Sequence, residues 1–375
     1  MIFGKISSYF KQIEALNAEY YSTPYDVISK KSIFERIALY NFSFETAMLL
    51  VIALMFLIFH FGKNQNTKIT NAILLPINNA MYLEFGNIGF NYRMKKVPYI
   101  TEHQNTLITS FFSGRKHVES MEIKIHLSSR YNPLGLLMER LMKTVLSGIM
   151  EDNVEEFVEI TIKPNNVSES AKVSNAAGDL FPAQTRSTLP KKYQFVSGIV
   201  SKHSMTSSRN NYYYLRTVPM IETPRLPQEY VFMTENNTLS NGIFFKNQQD
   251  NERLNEVLDN CKWFLKSFTI TDLPDEQPIL DTDFDKSSSR IHIVLKLPKN
   301  QKDVDHLIEM IQYALSIYDD FAAGEFDKIF MNPNLLKKID SLRAHEKSNV
   351  LKVMKDVEAE MKKKELEDKK QQKTK

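Results

Sequence analysis

The chain has a single cysteine, Cys261, in 375 residues. That excludes an intramolecular disulfide and any metal site built on several cysteines. A large domain without disulfides suits the cytosol better than a secretory lumen. Glycine is also scarce, with 11 residues, and neither G-x-G-x-x-G nor GxxxxGK[ST] occurs. The eight histidines never reach HExxH spacing. Two of them, His126 and His292, fall on the polar side of alternating strands and read as exposed strand residues. The acidic cluster Asp281-Thr-Asp283-Phe-Asp285 opens like a calcium loop. That loop needs glycine at its sixth position and glutamate at its twelfth, and here these are Lys286 and His292. A solvated loop is the better reading. With no nucleophile–base pair or metal constellation, the chain reads as non-enzymatic, with no cofactor and no metal. The net charge is only +3, so no whole-molecule field marks a DNA partner.

What the chain does have is one long apolar run. Within Phe42–Phe61 (FSFETAMLLVIALMFLIFHF), the residues from Ala47 to Ile58 include no polar side chain. As a helix of about 20 residues it measures roughly 30 Å, the thickness of a bilayer core. Tyr40, Phe42 and Phe44 before it, and His60 and Lys63 after it, suit a membrane edge. The spacing therefore predicts a single transmembrane helix over 42–61, against the alternative of a buried helix in a globular domain. Residues 1–41 precede it as a short segment. There Ile2, Ile6, Phe10, Ile13, Leu16 and Tyr20 recur at helical spacing. Such a segment suits a membrane surface, a partner, or the chain's own domain. Lys30, Lys31 and Arg36 on one side nearly balance Lys63 and Lys68 on the other, so charge alone sets no orientation.

Residues 62–332 predict an α+β domain with antiparallel strands. Gly62–Ala72 is polar and carries the helix away from the membrane, while Gly86 and Gly89 limit any long helix near Ile73–Phe90. Met121, Ile123, Ile125 and Leu127 alternate with polar residues, as do Val158, Ile160 and Ile162, and later Ile291, Ile293, Leu295 and Leu297. Asn132 and Pro133 start a helix whose Leu134, Leu137, Met138, Leu141, Val145 and Ile149 make one apolar stripe, read as core-facing. Residues 164–192 are rich in Asn, Ser, Ala and Pro, either a surface loop or a join between subdomains. Tyr212–Val218 and Tyr230–Thr234 read as short strands, since aromatic residues favour them. A helix with Leu254, Val257, Leu258, Cys261 and Leu265 on one face makes Cys261 a core residue. The last domain helix carries Val304, Leu307, Ile308, Ile311, Leu315 and Tyr318 and stops at Gly324.

The tail, 333–375, is the second organising feature. From Leu335 onward, 13 Lys/Arg face 8 Asp/Glu, a local +5. Val350, Met354, Val357 and Met361 cover about one and a half heptads, too few for a convincing two-stranded coiled coil. A charged helix with Glu/Lys pairs fits better. Lys362, Lys363, Lys364, Lys369, Lys370, Lys373 and Lys375 are gathered near its end, where they suit a phosphate-rich surface such as ribosomal RNA or anionic lipid.

This order of parts resembles the calumin family, coiled-coil domain-containing protein 47 and its shorter fungal relatives. The likeness is sharpest after the apolar run, at Phe61, Gly62, Lys63, Asn66, Lys68, Asn71 and Ala72. It recurs at Ser113, Gly114 and Arg115 with Glu119 and Met121, and more weakly at Tyr313–Phe321. The resemblance implies an endoplasmic reticulum membrane protein with one anchor, a cytosolic domain and a basic helical tail that reaches the ribosome. It implies a non-enzymatic chaperone role in multi-pass membrane protein biogenesis at the ribosome-bound translocon, together with a small membrane partner subunit. The animal member's acidic lumenal region has no counterpart among residues 1–41, so its calcium binding is not carried over. A membrane-anchored tether or lipid-binding module is the alternative reading, and a membrane-bound enzyme with an unrecognised site is a third.

Overall fold

A computed structural model describes residues 17–90, 98–103, 105–145, 156–165, 194–278, 288–330 and 332–373. The Ile2–Leu16 part of the N-terminal stripe, the Asp281–Asp285 cluster and nearly all of the 164–192 segment lie outside these residues. The chain divides into two compact units, residues 1–64 with 130–134, and residues 65–129 with 135–375.

In the first unit three short helices, α1 (Ala18–Ser22), α2 (Tyr25–Lys30) and α3 (Ile33–Leu39), lead to the long α4 (Ser43–Met81). The start of α3 is fixed by a capping box in which Ser32 and Glu35 exchange hydrogen bonds. The Asn17 side chain holds the backbone of Asn41 from both sides, accepting from its N–H at 2.8 Å and donating to its carbonyl at 3.2 Å. Glu45, next to the apolar run, accepts from the Tyr40 hydroxyl at 2.5 Å. Among the described residues α4 alone is long and apolar enough to cross a membrane, and its apolar window is not buried. Met48, Leu49, Leu50, Phe56 and Leu57 all stand exposed, which is the opposite of a core helix. Near the end of the run, Phe59 meets the Tyr131 ring edge-on at 5.7 Å. A Cβ on Gly62 would come within 2.6 Å of the Tyr131 backbone nitrogen, so this position admits only glycine.

The second unit begins within α4, which continues beyond the polar Gly62–Ala72 stretch to Met81 and buries Ile73, Leu74, Ile77 and Met81. Its sheet contains β1 (Asn87–Ile88), β2 (Tyr99–Glu102), β3 (Leu107–Ser113), β4 (Val118–His126), β5 (Phe157–Pro164), β6 (Ser197–Ser201), β7 (Met220–Ile221), β8 (Tyr230–Thr234), β9 (Leu265–Thr271) and β10 (Arg290–Lys296). The order is β1-β3-β4-β5-β10-β9-β6-β8-β7, with β2 also on β3. Each pairing among the described residues is antiparallel. Ile123, Ile160, Ile293, Phe268, Ile199 and Phe232 form one row across six strands, each the register partner of the next. All six are buried, and a slip of one residue would turn a strand's whole apolar set to the wrong face.

The remaining α-helices among the described residues are α5 (Pro133–Val145), α6 (Met205–Asn211), α7 (Tyr213–Arg216), α8 (Asn237–Phe244), α9 (Gln248–Cys261), α10 (Gln301–Ala323), α11 (Asp327–Phe330) and α12 (Pro333–Lys373). The main core joins the end of α4 to α8, α9 and α10, including Leu254, Val257, Leu258 and Cys261. Tyr318 of α10 donates to the carbonyl of Ile162 at 3.1 Å, tying the helix to β5. Gly324 ends α10 in the left-handed region at φ 78°, as its position predicts.

Four sequence expectations are corrected. Leu265 does not continue the helical stripe: α9 ends at Cys261, and Leu265 opens β9, where it pairs with Leu295. Tyr213–Arg216 is a helical turn, not a strand, because its Tyr213, Tyr214 and Leu215 pack with Val196, Val200, Val231 and Met233 into a second core. Tertiary burial outweighs the strand preference of the tyrosines. Leu137, Met138 and Leu141 of α5 are not core: they are 55, 59 and 52 % exposed. His292 is buried and His126 half-buried, because β10 lies inside the sheet and Tyr212 and Tyr214 cover its second face.

Candidate functional site

The family-like motif residues turn out to build joints. Asn66, fully buried on α4, donates through its amide to the carbonyls of Asn105 at 3.0 Å and Ser128 at 3.1 Å. One side chain thus pins the helix to two loops of the second unit and satisfies backbone groups that would otherwise be buried unpaired. Beside it, Asn105 donates to Thr67 Oγ1 at 3.1 Å, and Tyr99 donates to Asn71 Oδ1 at 2.7 Å. Ser113 closes β3, and Gly114 follows at φ 93°, where a Cβ would lie 3.2 Å from the Cα of Gly86. Arg115 then bridges Glu84 and Asp319, the latter at 2.5 Å, linking the turn after α4 to α10. Lys63 follows Gly62 on α4. Gly62 and Lys63 belong to the first unit; Asn66, Ser113, Gly114 and Arg115 belong to the second, where Asn66 makes one joint and Gly114 and Arg115 another.

A buried polar cluster was not anticipated. The register pairs Glu159 with Lys124 and Val294, and His292 with Thr161, so that His126, Glu159 and His292 share one sheet face. His292 Nε2 lies 2.9 Å from Glu159 Oε1, and the Tyr214 hydroxyl lies 2.6 Å from His292 Nδ1. An ionised Glu159 can only accept, so Nε2 donates to it. Tyr212 donates to the same carboxylate at 3.2 Å, and His126 Nε2 stands 3.6 Å away. Burial alone would raise the Glu159 carboxyl, but the two imidazoles outweigh it and hold it below the ordinary carboxylate range. With His292 1 % exposed and Tyr214 fully buried, this chain of donors and acceptors ties strands and α7 together. It presents no nucleophile to the surface.

A second cluster fixes the C-terminal helix. On α12, Leu335, Ile339 and Val350 are buried, and Arg343 falls on the same stripe. Its guanidinium forms a two-pronged pair with Asp272, Nε to Oδ2 at 3.0 Å and Nη2 to Oδ1 at 2.5 Å, and donates to Glu235 through Nη1. Tyr213 adds a hydrogen bond to Glu346 at 2.6 Å. Burial pushes Glu235 up to about 7, aided by Asp272 and opposed by Arg343 and the Val196 N–H. Lys362, Lys363, Lys364, Lys369, Lys370 and Lys373 all lie in the later part of α12, and Lys375 lies outside the described residues.

The family described as PAT complex subunit CCDC47 matches residues 41–375, from before the apolar run to the end of the tail. The chain belongs to that family. A UPF0674 endoplasmic reticulum membrane protein of Saccharomyces cerevisiae is 31 % identical over 369 residues, covering 96 % of this chain and 88 % of the yeast protein. One from Schizosaccharomyces pombe is 21 % identical over 276 residues, covering 72 % of this chain and 65 % of that protein. In this CCDC47-family chain the Asn66 and Arg115 motifs therefore sit where a long helix is built into a sheet domain. The clusters around Glu159 and Arg343 escaped the sequence reading. Arg343 stands four residues after Ile339, on the stripe of α12 that buries Leu335, Ile339 and Val350.

Proposed function

We propose that this chain is an endoplasmic reticulum membrane protein acting as a non-enzymatic factor in multi-pass membrane protein biogenesis at the ribosome-bound translocon. The observation that carries the reading is the family match running through the apolar helix, the sheet domain and α12 together. In this reading residues 42–61 anchor the chain, 62–332 form a cytosolic domain, and 333–375 reach the ribosome. Translocon components and a small membrane subunit are its partners. The Arg343 docking supports the arrangement, because it fixes the first half of α12 to the domain and so aims the lysine-rich end. A docked arm and a membrane anchor make two weak contacts that reinforce one another through effective concentration.

Truncation before Lys362 should leave the protein resistant to carbonate extraction while abolishing its salt-sensitive co-sedimentation with ribosomes. Changing Lys362, Lys363 and Lys364 to glutamate should weaken that binding about tenfold or more, since contacts to RNA phosphates depend on charge count. Ribosome pelleting of the truncated chain at the wild-type salt dependence would defeat the assignment of the tail.

Orientation has its own test. Asn236 opens an NNT sequon, and its side chain caps α8 by accepting from the Thr238 N–H at 2.9 Å. Asn166, which opens NVS, lies outside the described residues. A cytosolic domain predicts that neither carries glycan. An endoglycosidase-sensitive mass shift lost on Asn236→Gln or Asn166→Gln would place the domain in the lumen.

A further inference from the structure

The sheet has one edge at which several unusual features meet. There β4 ends at His126, β5 begins at Phe157, β10 ends at Lys296 and β9 begins at Leu265. The loops along it are joined by hydrogen bonds. Asn66 donates to the Ser128 carbonyl, and the Ser128 N–H donates to Glu156 Oε1 at 3.0 Å. The Leu297 N–H donates to the Glu156 carbonyl at 3.3 Å, and the Lys296 N–H to the Phe264 carbonyl at 2.6 Å. This chain of bonds leads from α4 to the turn that carries Trp263, over three strand spacings of about 4.8 Å each.

Trp263 is the chain's only tryptophan and is 82 % exposed, with the Lys262 ammonium 6.0 Å from its ring centre. Lys296, which ends β10, and Lys299, on the loop after it, are also exposed. The crossing from β4 to β5 at this edge holds α5, whose Leu137, Met138, Leu141 and Met142 are exposed at helical spacing. Arg140 lies off that stripe. Asn66, the pin of this edge, follows Phe61 by five residues, which even fully extended reach at most about 18 Å. Whatever the angle between domain and anchor, the Asn66 end of this edge is tethered within that distance of the apolar run's end, and the Trp263 turn lies about three strand spacings farther along it.

We propose that this edge is a membrane-surface rim, in which the apolar face of α5 and the Trp263 ring enter the headgroup layer of the bilayer that α4 crosses. A helix with one apolar face beside cationic residues lies in that layer with its apolar side about 5–10 Å deep. Tryptophan with adjacent lysine is favoured there, because the ring is apolar with one polar edge and the ammonium reaches lipid phosphate. A protein ligand for the same patch is the competing occupant. The tether and the lysines favour lipid, which is present at this distance from the anchor at all times.

The single tryptophan makes the test direct. The full chain is placed in nanodiscs of three parts phosphatidylcholine to one part phosphatidylserine, without ribosomes or other proteins. Trp263 emission should be shifted to the blue of a water-exposed indole. It should be at least halved by phosphatidylcholine brominated high on its acyl chains, and shielded from aqueous iodide. Water-like emission open to iodide and indifferent to brominated lipid would overturn the rim. So would protection that appears only when endoplasmic reticulum membrane proteins are added, because a protein would then be the occupant. The double variant L137E/L141E should lose most of the lipid quenching with an unchanged thermal melt, since both positions are exposed. Undiminished quenching in that variant would remove α5 from the rim. Failure of ribosome binding would leave these readouts untouched.

Discussion

Replacing Arg343 by alanine should destabilise the second unit by about 3–5 kcal/mol at pH 8, the usual effect of removing one partner from a buried ion cluster. The substitution strands Glu235 and Asp272, whose side chains are 6 and 13 % exposed. The loss should fall with pH, and the sign follows from Glu235. Its folded-state value, about 7, is raised above the ordinary 4.5. The stability tied to its protonated form is therefore complete below 4.5 and lost as pH rises through about 7. At pH 5.5 the stranded carboxyl is protonated and neutral, so the variant should recover part of its deficit. Denaturant melts of the full chain in detergent at the two pH values measure the difference. Hydrogen exchange should show the amides of Leu335–Val350 losing protection in the same variant. An equal penalty at both pH values would mean that Glu235 does not carry the effect. Unchanged protection would mean that Arg343 does not hold α12.

The parts of the fold that were legible in the sequence are those with a single partner layer. Met121–Ile125, Val158–Ile162 and Ile291–Leu295 show the two-residue period because one face of each strand meets the main core. His292 has the same pattern around it, yet it is buried. The second layer that covers it comes from Tyr212 and Tyr214, 80 and 78 residues earlier in the chain. No local period can register a cover that far away. Leu141 failed for the opposite reason. Helical spacing reveals which face of α5 is apolar, but not whether protein, lipid or water meets it. The long α4 was partly legible: the apolar run is plain, whereas its continuation to Met81 depends on the second unit packing around Ile73 and Ile77.

Among the site residues, Asn66 and Arg115 could be found only as matches to a family pattern. Their work is done by bonds to Asn105, Ser128 and Asp319, up to 204 residues away. Arg343 was hidden by its surroundings, because one buried arginine in a lysine-rich helix looks like part of a solvated face.

Acid should reach the other buried carboxylate by a different route. Glu159 is held below its ordinary value of 4.5, so on acidification the unfolded chain takes up this proton before the folded chain does. Its contribution is complete above that value and lost as pH falls through the folded-state value. Glu159→Gln keeps the shape and removes the charge. It should cost about 2 kcal/mol near neutral pH, as for a lost hydrogen bond to a charged group. The gap to wild type should close as pH falls below 4.5. His292→Ala is expected to cost more, about 3–5 kcal/mol, because it leaves both the Tyr214 hydroxyl and the Glu159 carboxylate buried without their shared partner. The two melts against pH separate the roles. If Glu159→Gln runs parallel to wild type through the whole acid limb, another carboxylate is responsible for that limb. If His292→Ala costs less than Glu159→Gln, Tyr212 and His126 are enough to hold Glu159, and the Tyr214–His292 link contributes little to the sheet.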